Sequence, residues 1–498
     1  MNDAQTVLLG IDGGTGGIRA GLYDTKGHCL GFSSKEYKTD FPKPGYAMQD
    51  PKDWWESLGL AVRELLNQTN IDRRSIRALA FDSTCTSVVV CKKDATPLYP
   101  CIIWMDVRAK KEADELFEKT KEFYSPEWMP PKLAWLKRNE PKVYEKAEVF
   151  CEYQDWITYK LTGKWCMNNN TACNWGYSIY DGFSEKIYEA LDIEEALNKF
   201  PSNEVYRVGD LIGTLTKEAA DHLGLYEGLK IAQGGIDSSI GLLGIGVNRP
   251  GRIGMITGSS NLAMALNDRP LLNPHGSNNG PDNLIEGYYT DYVGQSASGS
   301  ILSWYVKNFC EGYSYKQMDE LAKTVPIGSN GILLLDYFQG NKHPYQDGKA
   351  RGMFYGLSLS HKKEDLYRAI LEGVAFGSER ILDTFREKGV DVKEMNMAGG
   401  SARSPLWMQI HADVSNVIIN VPEDINAPNL GCAIACAVML GVYPDLPAAV
   451  DHMVRYKHSY IPDPENHEKY QKIYELYKSF YPLTKDWMHE FSDLCDSL

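Results

Sequence analysis

The chain has 498 residues, more than one hydrophobic core usually organises, so two domains are expected. Its formal net charge is −14, and its basic runs are interrupted: Arg108, Lys110 and Lys111 give way at once to Glu112, Asp114 and Glu115, which excludes a basic stripe tracking nucleic acid. The apolar stretch at 433–440 is too short to span a membrane, the first residues carry no secretory pattern, and eleven cysteines are scattered without a C-x-x-C pair, so a cytoplasmic chain with reduced thiols and no membrane partner is expected.

Residues 7–11 read as a strand, followed by Asp12-Gly13-Gly14-Thr15-Gly16-Gly17 and a second strand over 18–23. Glycines that lead into a strand rather than a helix are not a Rossmann start, and no G-x-x-x-x-G-K-[ST] is present. Residues 51–67 predict a helix, with Asp50 as its cap and Pro51 in first position. A strand over 76–81 ends at Asp82, Ser83 and Thr84, and another follows over 87–90. Residues 100–105 lead to Asp106, Arg108 and a charged helix.

A second cycle begins near 229. A short strand over 230–232 ends at Gln233-Gly234-Gly235-Ile236-Asp237, and a helix-compatible run occupies 240–246. Strands at 252–256 and 261–265 then flank Thr257-Gly258-Ser259-Ser260, echoing the first hairpin. Two domains of similar topology are expected, spanning 1–247 and 248–498. Further elements are a strand at 331–335, a helix at 363–379 and a strand at 396–398 that ends at Gly399-Gly400-Ser401. Helices at 405–414 and 427–440 and a helical tail after Pro462 complete the chain.

Several polar turns carry potential chemistry. In the first, backbone N–H groups and Thr15 can hold phosphate oxygens, with Arg19 just beyond, and Asp12 at a strand end can meet Mg²⁺; the same pattern also fits a hairpin without ligand. Thr257, Gly258 and Ser259 offer neutral donors to polyphosphate, or form a plain turn. Asp237 is placed to take a proton from an attacking hydroxyl, with Mg²⁺ contact as a second role, or to sit at a helix start. Asp82, Trp104, Asp106, Arg108, Glu127 and Trp128 combine hydrogen-bonding groups with aromatic faces, as a polyol requires; the alternative for the later ones is an ion pair beside core tryptophans. Gly399, Gly400, Ser401 and Ser404 suit close approach of a nucleoside, or a capped helix start at Pro405. His275, His343, His361 and His411 stand apart, and neither H-E-x-x-H nor G-x-S-x-G occurs.

The segments IDGGTGGIR (11–19), WMDVR (104–108), GGID (234–237), ITGSSN (256–261), YGLSLSHKKEDLYRAILEGVAF (355–376) and AGGSARSPLWMQIHADV (398–414) together resemble the FGGY carbohydrate kinases. The resemblance implies an α/β fold of two actin-like, ribonuclease H-like domains around a deep cleft, with ATP and Mg²⁺ as cofactors and a small sugar or polyol as substrate. It implies Asp237 as catalytic base and Asp12 near the metal. Gly13, Gly14, Thr15, Thr257 and Gly258 would lie at the phosphates, and Gly399, Gly400 and Ser401 beside adenosine. The sugar would lie against Asp82, Trp104 and Asp106. FDSTCTSVVV (81–90), WMDVR and the 125–141 segment look like the ribulokinase branch, so D-ribulose or L-ribulose is the expected substrate. Xylulose, ribitol, erythritol and erythrulose are the alternatives, and a sugar-independent ATPase or scaffold of the same superfamily is the alternative of another class. Family members are often homodimers.

Overall fold

The computed structural model describes residues 6–271, 278–279 and 282–498; His275 lies outside them. The chain forms two compact units. The first takes residues up to Asn248, then 268–290 and 426–455; the second takes 249–267, 291–425 and 456–498.

In the first unit a six-stranded sheet runs in the order Leu211–Thr214, Lys230–Ile236, Ile76–Ser83, Val7–Gly14, Gly17–Asp24, Cys29–Glu36. Val7–Gly14 pairs antiparallel with Gly17–Asp24 and parallel with Ile76–Ser83, which pairs parallel with Lys230–Ile236. Every residue of Val7–Gly14 is buried, as expected of a central strand covered on both faces. Helix Pro51–Thr69 covers part of one face. Asp50 accepts from Lys52 N as its cap, and Trp54, Leu58, Ala61, Val62 and Leu65 fall on one side of the 3.6-residue period and are buried.

Helix Ala427–Met439 also packs on this sheet. Its Asn429 Nδ2 donates to Gly10 O at 3.0 Å and Arg19 O at 2.9 Å, and a Cβ at Gly10 would lie 2.0 Å from Asn429 O. The sequence division at 247/248 put this helix in the second domain. Its apolar Ala, Gly and Cys positions announce burial but carry no information about which sheet they meet; the glycine at position 10 is the counterpart that admits it.

In the second unit the sheet includes, in order, Tyr289–Gln295, Asn261–Asn267, Arg252–Thr257, Glu394–Gly399, Ile418–Pro422 and Tyr456–Tyr460. Arg252–Thr257 is antiparallel to Asn261–Asn267 and parallel to Glu394–Gly399; Ile418–Pro422 continues in parallel and Tyr456–Tyr460 closes antiparallel. This repeats the strand order of the first sheet and, from Asn261–Asn267 to Tyr456–Tyr460, its strand directions, the duplicated α/β arrangement that the resemblance implied. Two segments are longer than the sequence suggested: Lys230–Ile236 takes Gly234 and Gly235 into the strand, and helix Lys363–Glu387 runs on past 379. No helix among the described residues is long and apolar enough to cross a membrane, and none of the eleven cysteines is in a disulfide.

Candidate active site

Three neighbouring parallel strands of the first unit end in carboxylates. Asp12 lies in Val7–Gly14 in register with Asp82 of Ile76–Ser83, and Asp237 directly follows Lys230–Ile236 as the first residue of helix Asp237–Gly244. The carboxyl ends of parallel strands are where open α/β sheets gather ligands. Asp12 and Asp82 are 3% and 0% exposed. Arg19, opposite Asp12 in the hairpin, donates Nη1–H to Asp12 Oδ2 at 2.7 Å and keeps 43% of its side chain exposed. Cys432 Sγ–H donates to Asp82 Oδ2 at 3.1 Å.

Crowding these acids raises their affinity for protons. Burial, then the charges of Asp12 and Asp237, push Asp82 well above the usual carboxylate range. Burial also raises Asp12, against the pull of Arg19. Asp237 is pushed up to about 7 by burial and by the charge of Asp12, opposed by the hydrogen bond its Oδ1 accepts from Ser238 N. A carboxyl that changes protonation near neutrality is suited to proton transfer.

The glycine turn beside them is fixed by side chains remote in sequence. Tyr37 OH donates to Gly14 O, Gln49 Nε2 to Thr15 O at 2.7 Å, and Trp104 Nε1 to Thr15 Oγ1 at 2.9 Å. Trp104 thus stands beside the turn with 38% of its surface exposed. Asp106 and Arg108 do not present hydrogen-bonding groups outward. Both side chains are 0% exposed and form a bidentate pair, with Arg108 Nε on Asp106 Oδ1 at 2.8 Å and Nη2 on Oδ2 at 2.6 Å. Asp106 Oδ2 also accepts from Ala47 N, and the guanidinium lies over the Tyr46 and Trp135 rings. The expectation that this pair binds sugar therefore gives way to a structural role, that of pinning the turn that carries Trp104. Glu127 and Trp128 precede helix Met129–Asn139, and Trp128 packs edge-on against Tyr124 and Phe123.

Sequence reasoning missed the buried clamp behind Asp82. Thr86 has φ +55°, unusual for a β-branched residue. Its N–H donates to Glu152 Oε1 at 3.0 Å, and its carbonyl accepts from Lys132 Nζ at 2.7 Å. Burial drives Glu152 up to about 7 and Lys132 down to about 8. The neighbouring Cys85 thiol is raised by burial and by the charges of Glu152 and Asp237, so this strained turn borders the carboxylates.

The second unit contains a cavity of about 610 Å³ lined by Gly258, Ser259, Ser300, Gly400, Ser401 and Tyr315, among others. That volume suits a nucleoside. Gly399 has φ +114°, and a Cβ there would lie 1.9 Å from Thr257 O. Thr257 is buried and its Oγ1 donates to Ala398 O at 3.0 Å, so it ties the two strand ends together. Ser404 Oγ accepts from Trp407 N as the cap of helix Pro405–Ser415, and the residue also lines the cavity. Among the described residues no group of three or more His, Cys, Asp or Glu side chains gathers to hold a metal ion alone.

The model of the FGGY N-terminal domain matches residues 7–244, and that of the C-terminal domain matches 254–440. The chain belongs to the FGGY family of carbohydrate kinases. A ribulokinase of Bacillus licheniformis is 31% identical over 484 residues, covering 88% of this chain and 87% of its own. A xylulose kinase of Staphylococcus epidermidis is 28% identical, covering 97% of both chains. The crystal structure of a xylulose kinase from Rhodospirillum rubrum superposes with a TM-score of 0.85 at 26% identity, covering 97% of this chain and all of that one. As an FGGY member the chain is an ATP-dependent carbohydrate kinase with the two-domain, actin-like fold of that family.

Proposed function

We propose that this kinase phosphorylates a terminal hydroxyl of a ketopentose, D-ribulose or L-ribulose, with Asp237 as the general base. The observation that carries the mechanism is the placement of Asp237: a part-buried carboxyl at the start of helix Asp237–Gly244, within reach of the charge of Asp12 and poised to change protonation near pH 7. The sugar oxygen forms its bond to the γ-phosphorus as the bond from that phosphorus to the β–γ bridging oxygen breaks. The hydroxyl proton passes to Asp237, leaving ADP and the sugar phosphate. Arg19, Thr15 and the backbone of Gly13 and Gly14 provide donors for phosphate oxygens. The cavity beside Gly400 and Ser401 takes the adenosine of ATP. Trp104 offers an apolar face to the sugar.

The donor set fits Mg²⁺ held by one or two carboxylates together with nucleotide phosphates, the mode this ion prefers, with Asp12 as first candidate and Asp237 as second. When bound, the ion neutralises charge on the phosphates. Asp82, buried against Asp12 and hydrogen-bonded by Cys432, keeps the array compact.

Support for ribulose comes from the 31% identical ribulokinase and from residues 81–90, where the Cys85–Thr86 turn is locked beside Asp237. The xylulose kinase relatives at 28% identity favour D-xylulose as the second reading. ADP release with ATP, Mg²⁺ and a panel of pentuloses, pentitols and tetritols separates them. One ribulose isomer is expected to give the highest kcat/KM; a preference for xylulose or a tetritol would discard the ribulose assignment.

A further inference from the structure

Asn168, Asn169 and Asn170 are buried in succession, each 4% exposed or less. Buried carboxamides need partners, because a hydrogen bond left unmade in the interior costs more than a made one contributes. Asn168 is partly explained by local structure: its Oδ1 accepts from Asn170 N as the cap of the short helix Asn169–Ala172. The side chain of Asn170 instead reaches partners 66 and 113 residues away in sequence.

Those partners frame Asp237. The parallel pairing of Lys230–Ile236 with Ile76–Ser83 runs to Gln233 opposite Phe81, shifts register, and resumes at Ile236 opposite Ser83. Side chains take up backbone groups around this irregularity. Gln154 Nε2 donates to Phe81 O at 2.8 Å, Asn168 Nδ2 to Gly234 O at 2.9 Å, and Ile236 N to Asn170 Oδ1 at 2.7 Å. Ile236 is the cap residue of helix Asp237–Gly244, so Asn170 fixes the last backbone N–H before Asp237. A Cβ at Gly235 would lie 2.6 Å from Asn170 Oδ1, so the second glycine of the pair lets the carboxamide approach. On its other side Asn170 Nδ2 donates to Asn283 Oδ1, and Asn283 Nδ2 donates back to Asn170 O at 3.2 Å. With its nitrogen committed to Asn283, Asn170 turns its oxygen to Ile236.

We propose that Asn170 is a positioning residue for phosphoryl transfer: through Ile236 N it holds the strand end that aims the Asp237 carboxyl at the sugar hydroxyl. This role rests on Asp237 being the general base. Asn170 is 0% exposed, so it acts through Asp237 rather than on substrate. A reacting group misplaced by about 1 Å can cost on the order of 10²-fold in rate. A merely structural asparagine would lower activity only as far as it lowers the folded fraction.

The test is kcat and KM at pH 8 with ATP, Mg²⁺ and the preferred sugar, on variants shown by thermal melts to be folded at the assay temperature. Asn170→Leu keeps the volume and removes the acceptor. Its kcat should fall by about 10- to 10²-fold, while KM for ATP and for sugar stays within about threefold. Asn170→Ala should do the same, so misfolding of one variant does not decide the matter. Asn170→Asp keeps an oxygen for Ile236 N and should recover most of the loss. Once Asp237→Asn has removed the base, adding Asn170→Leu should change the residual rate by less than about twofold, which a loss of folding would not spare. Wild-type kcat in both Asn170→Leu and Asn170→Ala, no recovery in Asn170→Asp, or an equal further loss in the Asp237→Asn chain would each overturn the proposal. A wild-type rate in Asp237→Asn alone would remove the general base itself, an outcome distinct from the other three.

Discussion

Asp237 owes its character to where the chain puts it. It follows a strand whose parallel neighbour carries Asp82, and burial together with the charge of Asp12 pushes it up to about 7. A raised carboxyl pKa means that the proton is held below that pH and released above it, and only the released form can accept the sugar proton. The kcat/KM of wild type should therefore rise with pH through about 7 and then level. Asp237→Asn should lower kcat by roughly 10²–10⁴-fold and lose that rise. It should melt no lower at pH 8, because a neutral amide removes one charge repelled by that of Asp12 and can still accept from Ser238 N. A pH–rate profile and a thermal melt read both effects. Asp12, Thr15, Asp237 and the serine turns were legible in the sequence because glycine- and hydroxyl-rich turns at strand ends stand out locally. For Asp106 and Arg108 the sequence left two readings open for a physical reason: an acid and a base two residues apart pair equally well with a ligand or with each other, and burial beside Tyr46 and Trp135 favours the ion pair. The Glu152–Thr86–Lys132 clamp left no local signal, since its members lie 46 and 66 residues apart.

At the scale of elements, the hairpins and helix caps followed the sequence closely. Asp50 caps Pro51–Thr69 and Ser404 caps Pro405–Ser415, each with proline in first position. Strand ends were less legible because glycines read as turns: Gly234 and Gly235 stay in the strand, where a Cβ at Gly234 would lie 2.1 Å from Phe81 O. The end of strand Glu394–Gly399 makes the same point for the cavity of the second unit, proposed above to take the nucleotide. Gly399 combines φ +114° with a Cβ position 1.9 Å from Thr257 O, so Gly399→Ala must both strain its backbone and push the two strand ends apart. Its expected cost exceeds about 1 kcal/mol, and because Gly258 and Gly400 line the cavity, affinity for ADP should fall with it. Calorimetry with ADP and a denaturant melt measure the two losses; an unchanged ADP affinity would separate Gly399 from the cavity.

For the whole molecule, the consequence lies in how the chain is divided between its units. The first sheet carries helix Ala427–Met439 from late in the sequence, docked through Asn429 on Gly10 O and Arg19 O. A chain cut after Asn248 would expose the face of Val7–Gly14 that this helix covers. It is expected to show no cooperative melt and rapid amide exchange in that strand; a cooperative, protected fragment would contradict the placement. That the two units share a topology was foreseeable from the repeated strand–turn–strand pattern. The return of 426–455 to the first unit was not, because hydrophobic periodicity reports burial without naming the partner.

The most direct test of the account is single-turnover transfer of phosphate from ATP to D-ribulose and L-ribulose, comparing wild type with Asp237→Ala. Wild type is expected to give stoichiometric sugar phosphate with one isomer, and the variant a rate lower by at least about 10²-fold with sugar and nucleotide binding retained. Transfer by Asp237→Ala at the wild-type rate, or ADP formed by wild type with no sugar phosphate from any pentulose, would contradict it.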